Sequence, residues 1–80
     1  EHLVSLYPNP VQRNEIHLKF GVMPKFAPSI LILDNLGRVV VQKSIRIGSD
    51  VSFPIDNLAS GQYYLRVSWD GREKVLGFVK

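Results

Sequence analysis

The 80-residue chain has no cysteine, one methionine and one tryptophan. Without cysteine there is no disulfide framework and no thiolate metal site, so a small fold must be held by packing alone. Long apolar runs are missing as well. The longest covers residues 30–33, against the roughly 20 residues a helix needs to cross a bilayer, and no stable membrane insertion is expected. No sign of charge dominates either. Ten Lys and Arg face seven Asp and Glu, and the basic residues are scattered from Arg13 to Lys80. Nucleic-acid binding requires a clustered basic stripe or a recognisable module, so no nucleic-acid partner is expected.

Catalytic signatures are equally scarce. There is no G-x-S-x-G elbow and no phosphate-cradling glycine loop. His2 and His17 have no partner at metal-ligand spacing, and His17 reads as an exposed strand residue. Asp34, Asp56 and Asp70 sit at turn positions, the ordinary structural use of Asp. A domain of this size also leaves little room for a ligand pocket of roughly 300 Å³ or more. The expectation is a non-enzymatic domain with no cofactor and no metal.

What the chain does have is short β-prone segments punctuated by turn residues. Leu3-Val4-Ser5-Leu6-Tyr7 reads as a first edge strand that stops at Pro8-Asn9-Pro10, where two prolines remove ladder donors. Ile16, Leu18 and Phe20 alternate with Glu15, His17 and Lys19, the pattern of a half-buried strand. Residues 21–28 carry two prolines and a glycine and read as a crossing loop, with Phe26 tucked beneath it. Residues 29–33 suit a central strand with apolar contacts on both sides. Asp34-Asn35-Leu36-Gly37 then turns the chain into a strand over residues 38–43, which continues or kinks through Ile45 and Ile47. Val51, Phe53 and Ile55 alternate again, and Pro54 restricts that strand to an edge or bulge.

The last third is the most informative stretch. Leu58, Gly61 and Tyr63 fit a tyrosine corner, in which the hydroxyl bonds back to upstream backbone. Tyr63, Leu65 and Val67 then face inward, leaving Tyr64, Arg66 and Ser68 outward. Asp70-Gly71 is a strong hairpin signal; a two-residue turn there sets Trp69 opposite Arg72 and Leu65 opposite Leu76. That register puts Leu76 and Phe78 inside and Val75, Gly77 and Val79 outside. Tyr7, Phe20, Phe26, Phe53, Tyr63 and Phe78 read as core, and Trp69 and Tyr64 as candidates for an exposed aromatic platform, with a Trp that covers the open end of the sandwich as the more ordinary reading of Trp69. The segments sum to about seven short strands without helical periodicity, which indicates an all-β, immunoglobulin-like antiparallel β-sandwich, with a barrel as the alternative.

Four stretches together resemble a known family. They are Tyr7-Pro8-Asn9-Pro10, Leu33-Asp34-Asn35-Leu36-Gly37-Arg38-Val39-Val40, residues 58–67 with Gly61 and Tyr63, and Lys74-Val75-Leu76-Gly77-Phe78-Val79-Lys80. Their order and spacing are similar to those of the type IX secretion system C-terminal sorting domain (the Por secretion system C-terminal domain). Leu76-Gly77-Phe78 departs from the more compact Lys and Val runs common at that position.

The resemblance implies one domain over residues 1–80, excised from a longer secreted precursor whose upstream cargo domain it accompanies. It implies a signal that directs cargo to the type IX outer-membrane translocon and to shuttle and sortase components. The cargo would transit the periplasm and outer membrane and be attached to the cell surface or released. Within that reading Tyr64, Arg66, Lys74, Val75, Val79 and Lys80 are the expected contacts with the machinery. Pro8, Asn9, Pro10, Gly37, Gly61, Tyr63, Asp70 and Gly71 are the structural motif positions. The alternative is an immunoglobulin- or fibronectin-like adhesion or spacer module that binds carbohydrate through Trp69.

Overall fold

The computed structural model describes residues 4–80; His2 and Leu3, the latter expected in the first strand, lie outside them. Seven strands follow in order: β1 (Val4–Gln12), β2 (Glu15–Phe20), β3 (Ser29–Asp34), β4 (Val39–Ser44), β5 (Asp50–Pro54), β6 (Gln62–Trp69) and β7 (Arg72–Val79). They form a three-stranded sheet, β1-β2-β5, and a four-stranded sheet, β4-β3-β6-β7. Every pairing is antiparallel. The two sheets pack as a sandwich consistent with an immunoglobulin-like fold, not as a barrel.

Alternation decides what lies between the sheets. Ile16, Leu18 and Phe20 from β2 and Val51 and Phe53 from β5 meet Ile30, Ile32, Tyr63, Leu65, Val67 and Phe78 from the other sheet. Ile55 and Leu58, just after β5, close one end of this core and Ile45 and Trp69 the other. β3 is less symmetric than its uniform apolar run suggests. Ile30 and Ile32 are fully buried, whereas Leu31 and Leu33 are half-buried on the outer face.

Several sequence expectations need correction. β1 does not stop at Pro8 but runs through both prolines to Gln12. It is an edge strand, where a missing proline N–H costs no ladder bond, and residues 8–11 bulge out opposite Ile16 alone. The turn into β2 is Arg13-Asn14, both residues at positive φ (58° and 54°), a tight hairpin turn formed without glycine. Phe26 is not tucked under its loop but is 72% exposed; the prolines Pro24 and Pro28 are buried there instead. Tyr7 is also exposed. Its ring stacks on His17 at 5.0 Å and its hydroxyl donates to Asp50 at 2.7 Å. β4 ends at Ser44, after which Ile45 is buried and Ile47 exposed.

Asp34 ties the β3–β4 hairpin. Its carboxylate accepts the backbone N–H groups of Leu36 and Arg38, both at 2.9 Å, and pairs with the Arg38 guanidinium at 2.8 Å. The Arg38 N–H, helped by its side chain and the Leu36 N–H, holds the Asp34 carboxyl below its ordinary pKa. A depressed pKa contributes stability that is fully present above the unfolded-state value and is lost as pH falls through the folded value. Asp34→Asn should therefore lower Tm at neutral pH and converge with the native chain in acid. Parallel melts across that range check it, and a constant offset at every pH would overturn it.

Candidate functional site

The last hairpin is pinned at both ends. At the turn, Asp70 and Gly71 both take positive φ (49° and 74°), the conformation whose twist matches flanking strands and which Asp-Gly adopts readily. The expected register holds, with Trp69 opposite Arg72 and Leu65 opposite Leu76. At the other end, the Tyr63 hydroxyl donates to the Ala59 carbonyl at 2.6 Å, forming the expected tyrosine corner. The Tyr63 ring stacks on Phe78 at 5.5 Å. Tyr63→Phe removes the donor from a part-buried carbonyl and should cost about 1–3 kcal/mol. Urea melts would measure it, and a change within error would sink the corner's energetic role.

Lys80 completes this anchor. Its backbone exchanges both hydrogen bonds with Gly61, at 2.8 and 3.0 Å. Its ammonium donates to the carbonyls of Ile55 at 2.9 Å, Asp56 at 3.3 Å and Leu58. The side chain thus bridges β7 to the loop over residues 55–58, a structural use that its position at the end of a strand did not signal.

That exchanged pair also fixes which backbone groups of β7 face away from β6. Hydrogen-bonded and non-hydrogen-bonded pairs alternate in an antiparallel ladder, so Phe78, Leu76 and Lys74 bond toward β6. Val79, Gly77 and Val75 point their N–H and C=O groups to the open edge. Part of that edge is occupied by Asn9. Its side-chain oxygen accepts the Val79 N–H at 3.1 Å, and its amide donates to the Gly77 carbonyl at 3.4 Å. Pro8 and Pro10 have no N–H with which to extend a ladder, so β1 lies against β7 with hydrogen bonds through the Asn9 side chain and no backbone ladder, and the sandwich does not close into a barrel.

The outer face of the four-stranded sheet is read row by row from the pairings. One row runs Val39, Leu33, Tyr64, Gly77; the next runs Gln42, Leu31, Arg66, Val75; Gln62 and Val79 lie beyond the first. Val75 is 55% exposed, Val79 43% and Tyr64 40%. The Tyr64 ring lies over Gly77, its carbons 3.6 and 3.7 Å from where a Cβ would stand. Arg66 crosses this apolar patch and approaches Glu73 at 3.8 Å. The six expected contact residues are therefore not one surface. Tyr64, Arg66, Val75 and Val79 share the outer face, whereas Lys74 pairs with buried Val67 on the inner side and is half-buried, and Lys80 turns into the loop.

A cleft of about 520 Å³ lies at the turn end, between the loop over residues 21–28 and the Asp70-Gly71 turn. That is more than the little room expected of so small a domain; Phe26, projecting outward, lines this space instead of filling it. Trp69 is no exposed platform: it is 7% exposed, with its ring edge-on to Phe20 at 5.5 Å.

Residues 5–80 match the model of a family described as the secretion system C-terminal sorting domain. The chain belongs to this family. Among curated proteins, none matches it. Membership makes the domain a sorting signal of the type IX secretion system, in a family that is not an enzyme family, carried by secreted or cell-surface proteins. The features that carried the resemblance have physical roles in the sorting domain: Asn9 caps the β7 edge, Asp34 and Gly37 make the central hairpin, and Gly61 and Tyr63 form the corner. The departure at Gly77 also has a local role, since Tyr64 packs over it and Asn9 bonds its carbonyl.

Proposed function

We propose that this sorting domain directs an upstream cargo domain to the type IX outer-membrane translocon through the outer face of its last hairpin. Tyr64, Arg66, Val75 and Val79 make the contact, and Lys80 ties down the end of the hairpin that presents them. Shuttle and sortase components then act on the cargo, which is attached to the cell surface or released after transit through the periplasm.

One observation carries this reading. The inner face of β6 and β7 is consumed by the core, while the outer face keeps three exposed apolar side chains that the fold does not use. Exposed apolar groups grouped on one face, with an arginine among them, are the composition of a contact surface. The open backbone of β7 around Val75, not reached by Asn9, also offers main-chain groups to an added strand.

The test is to append residues 1–80 to a periplasmic reporter in a host with this secretion system. The reporter should reach the surface or medium; retention in the periplasm with the domain folded would overturn the proposal. The adhesion or spacer reading has less support, because Trp69 packs edge-on against Phe20 and does not stand out as an open platform.

A further inference from the structure

One end of the sandwich gathers features that neither the core nor the outer face of the last hairpin uses. Register brings them together. Phe20, the last residue of β2, pairs with Val4; Ser29 pairs with both Ser44 and Ser68; and Lys19 pairs with Asp50. The loop over residues 21–28, the link over residues 45–49 and the Asp70-Gly71 turn therefore emerge at the same end.

Four large apolar side chains project there into solvent: Val22, Met23 and Phe26 from the first loop and Ile47 from the second. Single exposed apolar residues need no explanation, but several at one tip do. The same end carries Lys19, Lys25, Lys43, Arg46 and Arg72. Among the described residues none of the five is ion-paired with a carboxylate. Lys43 lies over the Phe53 ring at 5.0 Å and Arg46 reaches the Asp50 carbonyl at 3.4 Å.

Three acids stand against these five cations, and each of the three contacts a neighbour. Asp50 accepts the Tyr7 hydroxyl. Glu73 faces Arg66. Asp70 accepts the backbone N–H groups of Lys25 at 2.8 Å and Phe26 at 3.3 Å, which fixes the loop against the turn. Between loop and turn lies the cleft of about 520 Å³, lined by the apolar Val22, Met23, Phe26 and Trp69, by the cations Lys25 and Arg72, and by the Asp70-Gly71 turn itself. Four apolar side chains, with two cations against the single Asp70 carboxylate, whose oxygens are turned to the Lys25 and Phe26 N–H groups, suit an acyl chain that carries an anionic headgroup.

We propose that this loop end is a peripheral docking site for an anionic lipid surface. Phe26 and Met23 enter the interface, and Lys25, Arg72 and their basic neighbours meet the headgroup phosphates. Amphipathic elements with apolar tips and basic flanks bind membranes in this way, through buried apolar area together with attraction to anionic lipids. Such binding is reversible and involves no spanning segment. It orients the sandwich with one end on the membrane, leaving the outer face of the last hairpin free to meet a partner at its side.

The test is flotation of the folded 80-residue domain with vesicles of phosphatidylcholine alone and with about a third phosphatidylglycerol. The domain should float with the anionic vesicles and not with the neutral ones, and added salt should weaken binding. Met23→Ser with Phe26→Ser, and separately Lys25→Glu with Arg72→Glu, should each weaken binding about tenfold or more. Thermal melts establish that each variant is folded; should one pair fail to fold, the other pair and the native chain still decide the matter.

No binding by the native chain, equal binding to neutral vesicles, or unchanged binding by the Met23 and Phe26 variant would overturn the site. So would binding to soluble polyglutamate as tight as to vesicles, which would indicate an acidic protein partner instead. Val75→Glu with Val79→Glu should bind vesicles normally, so this site and the translocon contact can fail separately.

Discussion

Phe78→Ala is expected to cost about 3–5 kcal/mol and to leave much of the domain unfolded near physiological temperature. The native stability of 80 residues is on the order of 4–12 kcal/mol, so a single cavity of that size removes a large share of it. Phe78 heads the fully buried side chains by volume, at 1% exposure, and its ring stacks on Tyr63 beneath the tyrosine corner. It also sits on an edge strand whose free side is held by Asn9 alone near this end. Few neighbours can move to fill the space, because the corner loop is tied to the Tyr63 hydroxyl and to Lys80. Urea denaturation gives the comparison directly. Val79→Ala, one position on but facing outward, should change stability by no more than about 0.5 kcal/mol. A loss below about 1 kcal/mol for Phe78→Ala would contradict the packing described.

The second large effect separates surface from fold. Val75→Glu with Val79→Glu should leave the melt close to that of the native domain, since both side chains point into solvent, yet should reduce export of a fused reporter on the order of a hundredfold. An unpaired carboxylate carried into an apolar contact costs about 3 kcal/mol or more, and that free energy corresponds to such a change in affinity. Ser52→Glu, on the exposed face of the three-stranded sheet, serves as the control and should export normally. If the valine variant folds and is exported like the native domain, the outer face is not the contact. Phe78→Ala would also lose export, but through unfolding, which is why the paired measurement of stability and export is required.

The residues that were legible in the sequence are those governed by local rules. Strict alternation placed Ile16, Leu18, Phe20, Val51, Phe53 and Ile55 inside, because a period of two is a property of the strand itself. Asp70-Gly71 set the register of the last hairpin through turn geometry, and Leu58, Gly61 and Tyr63 announced a corner whose hydroxyl bond is 2.6 Å long. The Arg13-Asn14 turn carries no glycine to mark it in the sequence, although Asn tolerates the left-handed conformation. Tyr7 and Phe26 were misplaced by a rule that sends aromatics inward. That rule has no access to which loop lies over which neighbour.

Composition, alternation and turn chemistry thus determined by themselves that this chain is all-β, built of short antiparallel strands with a hairpin over its last third, because each depends only on residues close in sequence. Only the tertiary structure decided the rest. It brought Asn9 to the β7 edge 68 and 70 positions along the chain, turned Lys80 onto carbonyls of the corner loop, buried Trp69 against Phe20 and left Phe26 outside. Each of these contacts joins segments from different strands or sheets, and local patterns do not encode the packing of one sheet on another.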